Sequence, residues 1–142
     1  MKTSARTRAR ELVLQTLYAV ECGADEPDER FVSIIDDEEL SDATVKYARD
    51  LLTLARQHAD WADGQITELA ANWELDRVAK IDRFILRLAM VELKYLVDVP
   101  MKVVLNEAIE LAKKFSTPQS SSFVNGILDS FAKKQEQAES AD

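Results

Sequence analysis

The chain has 142 residues, of which 46% are hydrophobic and 31% charged. That is enough for one domain with a real core and too few for two. Its single cysteine, Cys22, excludes an intramolecular disulfide and a cysteine-built zinc site, and three glycines and three prolines are too few for the turn-rich texture of a sheet protein. No apolar run of about 18 residues is available to span a membrane, and the N-terminus lacks a signal-peptide core, so a reduced cytoplasm is the expected compartment.

Taken in order, the periodicities predict an all-α chain of about six to seven helices. The first helix is expected over residues 4 to 22, burying Ala9, Leu12, Val13, Leu17 and Val20 and ending at Gly23. An acidic connector with a short helix around 31 to 35 follows. Ser41 or Asp42 is placed to cap a long helix with the stripe Val45, Ala48, Leu51, Leu52 and Ala55. Residues 61 to 73 read as helical around Ile66, Leu69 and Ala70, with Gly64 as a possible break. Asp76 is a candidate cap for a helix reaching about Val97 before Pro100. From 84 to 97 that helix is apolar nearly all round, as a central buried element should be. Val104, Ala108, Leu111 and Phe115 make the next stripe. After a turn carrying Pro118, the serines at 120 to 122 offer an N-cap for a last helix built on Val124, Ile127, Leu128 and Phe131. Gly126 inside that helix suggests close approach of another backbone. The ordered domain is expected to end at residue 134, leaving 135 to 142 as a polar, disordered tail.

The net charge of −8 is unevenly spread. Residues 1 to 10 hold Lys2, Arg6, Arg8 and Arg10 and no acid; residues 23 to 76 carry fifteen acids against four bases, a local net of −11; residues 77 to 115 return to eight bases against five acids, with Arg77, Lys80, Arg83 and Arg87 clustered. Polyanion binding depends on local cations, so a basic arm can hold phosphates while an acidic body discourages indiscriminate coating. Cations at a helix N-terminus oppose the macrodipole, and a polyanion removes that conflict. Arg6, Arg10, Leu14 and Tyr18 form one strip of the first helix beside its core face, where guanidinium groups and a phenol suit phosphates and unstacked bases. The plainer reading, a solvated basic terminus, remains open on pattern alone.

No catalytic constellation is visible. His58 is the only histidine and reads as a solvated helix residue, and no phosphate loop, metal cluster or cysteine-histidine pair can be assembled. Arg87 and Glu92, charged within the apolar central helix, require partners; Glu107 is the candidate for the arginine.

The stretch NEAIELAKKFSTPQSSSFVNGILD at 106 to 129, with IDRFILRLAMVELKY at 81 to 95, DVPMKVVLNEAIELAKKF at 98 to 115 and ARTRARELVLQTLY at 5 to 18, resembles the NusB family of bacterial transcription antitermination factors. The resemblance implies a small all-helical protein of two perpendicular helical bundles, without enzymatic activity or cofactor. It implies binding of the boxA element of nascent ribosomal RNA jointly with NusE, a small-subunit ribosomal protein, and action with other Nus factors on RNA polymerase. By the same resemblance Arg6, Arg8 and Arg10 are RNA contacts with Lys2 nearby, Phe123 and Asn125 of the FVNG motif are further candidates, and Tyr18, Glu21 and Asp82 face NusE. Thr7 interrupts the run of consecutive arginines found in some members, and Gln119 stands where some carry an acid. A monomer or a homodimer is compatible with the family. Two rivals remain at this point: a NusB-like domain also begins certain ribosomal RNA cytosine methyltransferases, and a helical scaffold that binds only protein would share much of the pattern.

Overall fold

The computed structural model describes residues 4–23, 26–36, 38–70, 78–96 and 98–140, with the side chains of 139 and 140 excepted. Lys2, Asp76, Arg77 and Val97, named above, lie outside them, as do residues 71 to 73 of the expected helix over 61 to 73. Seven helices and no strand occur among the described residues: α1 (Ala5–Glu21), α2 (Pro27–Asp36), α3 (Asp42–Gln57), α4 (Ala59–Leu69), α5 (Lys80–Tyr95), α6 (Met101–Phe115) and α7 (Pro118–Ser140). None is long and apolar enough to cross a membrane.

Local chemistry sets several boundaries. The hydroxyls of Ser4 and Ser41 each accept a hydrogen bond, 3.1 Å long, from the backbone N–H three residues on, closing the first turns of α1 and α3. At the other end of α1 the backbone turns left-handed at Gly23 (φ 96°), a conformation that favours glycine. The helix α7 starts at Pro118, earlier than the serines suggested. Proline is preorganised for the first helical position and has no N–H to leave unpaired, so Ser120 to Ser122 fall inside the first turns. The same helix runs on through Ser140, past the expected end of the ordered domain, because Gln, Glu and Ala are good helix formers. Gly64 does not break α4. A Cβ at Gly126 would meet nothing within 4 Å among the described residues, so the expected close approach of another backbone is not found among them.

The central helix α5 packs against α1, α3, α4, α6 and α7, while α2 packs on α1. Its residues from Phe84 to Glu92 are all buried, which explains the unbroken apolar run. Around it Leu14, Phe31, Leu51, Ile66, Leu128 and Phe131 are almost fully withdrawn from solvent. Each such side chain is worth about 1.5–3 kcal/mol relative to exposure. Trp61 meets Phe131 edge to face with centroids 5.8 Å apart, tying α4 to α7. The two charges on α5 find partners other than those expected. Arg87 binds Asp63 of α4 at 3.2 Å rather than Glu107, and Glu92 binds α1. His58 is half-buried at the α3–α4 junction and stacks on Tyr95 with centroids 4.1 Å apart, so it is not simply solvated.

Candidate nucleic-acid interface

The three arginines of α1 lie at three depths. Arg6 is half-exposed (side chain 49%); it sits 3.7 Å from the still more exposed Asp98, with its guanidinium 4.5 Å above the Tyr47 ring. Such a surface pair is worth about 0–1 kcal/mol, so a phosphate can displace the carboxylate. Arg8 is more enclosed, bonded through Nη2 to Glu38 of the α2–α3 connector and 3.4 Å from Glu11 through Nη1. The hydrogen bond from Arg8 holds the Glu38 carboxyl below its usual range, and the same bond raises the Arg8 guanidinium. Glu11, buried, also takes Lys114 of α6.

Arg10 departs from the expected exposed arm. It is 3% exposed and donates to Glu92 twice, Nε to Oε1 at 2.6 Å and Nη2 to Oε2 at 2.9 Å. The Tyr47 hydroxyl donates to the same Oε2 at 2.9 Å, and Glu107 lies 3.8 Å from Nη1. Burial works against the Arg10 charge, yet the hydrogen bonds that Arg10 donates to Glu92, with the charge of that carboxylate, outweigh it and its affinity for the proton is raised. Burial and the Glu92 charge push the Tyr47 phenol up to about 12. Helical geometry explains the correction, since Arg10 stands one turn from Leu14, which is itself buried. An unpaired acid on a buried face of α5 was the signal that a base from a neighbouring helix had to turn inward. Thr7 likewise turns inward, its hydroxyl donating to the Glu107 carboxylate at 2.8 Å.

Tyr18 (41% exposed) and Glu21 lie toward the opposite end of α1, where Glu21 is 3.6 Å from both Lys80 and Arg83. Asp82 does not join them as an open surface acid; it is 5% exposed. It instead shares a cavity of about 300 Å³ with Phe123, between the first turns of α5 and α7, lined also by Val78, Ala79, Gln119 and Ser120. Ser120 donates to Asp82 Oδ2 at 2.7 Å, whereas Oδ1 is buried with no hydrogen-bond partner. Asn125 is exposed one turn from the half-buried Ser121. The structure thus brings Phe123 and Asp82 together and separates Arg10 from Arg6. Tyr47, Glu38, Glu11 and Lys114 were missed by sequence reasoning because their roles come from partners far away in the chain.

Among the described residues the frame is a bundle of seven helices in which one helix end presents arginines and carries no acid in its first turn. The NusB family model matches residues 7–133, and the chain belongs to the NusB family. It is 45% identical over 133 residues to a transcription antitermination protein NusB of Anaeromyxobacter dehalogenans (strain 2CP-1), covering 92% of each, and 43% identical to that of Myxococcus xanthus, covering 90% of this chain and 94% of the relative. Among solved structures it superposes on T. maritima NusB with a TM-score of 0.85 at 33% identity, covering 98% and 99% of the two chains. It also superposes on a chain from a crystal structure of antitermination factors NusB and NusE in complex with dsRNA, with a TM-score of 0.83 at 26% identity, covering 92% and 97%.

Proposed function

We propose that this protein is a non-enzymatic antitermination factor that binds the boxA element of nascent ribosomal RNA together with NusE, within a cytoplasmic assembly of other Nus factors and RNA polymerase. The reading is supported above all by the match over nearly the whole chain to a protein crystallised with NusE and RNA, joined to the two arginines that remain within reach of solvent at the start of α1. In this reading Arg6 and Arg8 neutralise phosphates, Lys2 is a further candidate for the same role, and Phe123 and Asn125 extend the contact along α7. Arg10 holds α1 against α5 and so aims the other two. Tyr18 and Glu21 form the surface for the basic ribosomal protein, where complementary charge speeds association.

Fluorescence anisotropy with a boxA-like single-stranded RNA across a salt series tests it. Each phosphate neutralised on a single strand contributes about 0.7 to the slope of log affinity against log salt, so replacing Arg6 and Arg8 together with alanine should flatten the slope by up to about 1.4. Unchanged affinity and slope in that variant would remove the proposed contact.

A further inference from the structure

We propose that Arg8 and Lys114, held together on the two oxygens of the buried Glu11 carboxylate, form a phosphate clamp that carries a bound strand from α1 onto α6. The inference rests on the RNA-binding reading and deepens it by adding a contact from a second helix. Arg8 Nη1 lies 3.4 Å from Glu11 Oε1, and Lys114 Nζ donates to Glu11 Oε2. Glu11 is 2% exposed, so its hold on both cations is little screened by salt. The cations themselves remain accessible: the Arg8 side chain is 31% exposed and that of Lys114 58%. An arginine has five N–H donors and an ammonium three. Glu11 takes one from each and Glu38 one more from Arg8, so donors remain for a phosphate.

The adjacent lysine shows that placement, and not surplus charge, sets Lys114 apart. Lys113 is as exposed, at 60%, but pairs with Glu110 of its own helix. Both lysines sit in the last turn of α6 and suit its dipole equally, so the dipole does not explain why Lys114 crosses to α1. Nor is it the sole partner of Glu11, because Arg8 is already there. What the second cation adds is preorganisation. A long flexible side chain loses rotamer freedom when a ligand fixes it, and Glu11 has already fixed this one. Two like charges that would repel on an open surface stand together with a carboxylate between them, and an arriving phosphate meets both at once.

The clamp also gives the strand a course. Thr7 meets Glu107 and, one turn further along α1, Glu11 meets Lys114, so two side-chain links join the start of α1 to α6. Pro118, the first residue of α7, follows Lys114 by four residues, at most about 14 Å of chain. A strand that leaves the arginines across Lys114 is therefore directed toward the start of α7.

Salt titrations of the full chain by anisotropy, with oligouridine and with a single-stranded RNA of mixed sequence, test the clamp. Lys114→Gln and Lys113→Gln remove the same charge from neighbouring positions, so long-range electrostatics changes alike in both. Lys114→Gln should flatten the slope of log affinity against log salt by about 0.7 with either RNA, and Lys113→Gln should leave it near the wild-type value. Lys114→Arg should restore the slope, and thermal melts of all three variants confirm that they fold. Indistinguishable slopes in the two glutamine variants overturn the clamp. An arm without RNA separates this result from failure of the RNA reading. Pyrophosphate is titrated by NMR, and the backbone amides of Arg8 and Lys114 should shift together in the wild type, the Arg8 shift shrinking in Lys114→Gln. If no RNA binds but those shifts appear, the phosphate site stands with a free phosphate as its ligand and the RNA reading fails. If no RNA binds and the shifts are absent, the clamp falls as well.

Discussion

The start of α1 and the cavity at the start of α5 are both places where charge meets a helix N-terminus, and they resolve it in opposite ways. At α1 the charges are positive, against the dipole, and each arginine is compensated by an acid from elsewhere: Asp98, Glu38 with Glu11, and Glu92 with Glu107. At α5 the buried charge is the negative one of Asp82, in accord with the dipole, yet one of its oxygens is unmatched. The first arrangement is self-sufficient, and on the function proposed above it would exchange one anion for another on binding RNA. The second leaves an acceptor sealed inside the protein without a donor. The difference teaches that depth, more than sign, separates structural charge from charge available to a partner.

The sharpest break in that comparison is to strand a buried charge. Arg10→Ala leaves Glu92 buried with only the Tyr47 hydroxyl, and urea unfolding should show a loss of about 3–5 kcal/mol. The double replacement Arg10→Met with Glu92→Leu should recover most of it, since a well-packed apolar pair often matches a buried ion pair. A loss confined to the single variant would mark the pair as mutual compensation. Next comes alkaline pH. The Tyr47 phenol is raised in the folded state, so its contribution is fully present below about pH 10 and is lost as pH rises through about 12. Melts over that window should fall by the order of 2 kcal/mol more for the wild type than for Tyr47→Phe.

A smaller effect sharpens the cavity side. Ser120→Ala removes the hydroxyl from Asp82 Oδ2, leaving both carboxylate oxygens short of donors, and should cost about 1–3 kcal/mol by urea unfolding. The smallest expected change runs the other way. Glu38→Gln frees Arg8 from a competing anion and should tighten RNA binding by up to about fivefold in low salt, the equivalent of a surface pair. Binding that weakens instead would make Glu38 a necessary brace for the arginine.

Much of the helical plan was legible because it depends on local rules. The stripes of α3, α5 and α6, the cap at Ser41 and the stop at Gly23 follow from spacing and from the chemistry of helix ends. The boundary of α7 was misread because serine and proline both signal helix starts, and Pro118 prevailed. The arginine cluster was legible as a group but not as three separate jobs. One turn of α1 carries the chain from a half-exposed Arg6 to a fully enclosed Arg10, and only the partner helices decide where that border falls. Asp82 was misplaced for the same reason, since its surroundings come from α7, 38 residues away in sequence.

Cys22 gives the molecule a built-in point of attachment. It is exposed at the end of α1, 16 residues beyond Arg6, so about 24 Å of straight helix separates the two. As the only thiol in the chain it accepts a single dye with no engineering. Energy transfer from that dye to one placed on the 5′ or the 3′ end of a bound oligonucleotide would read the direction in which the strand runs.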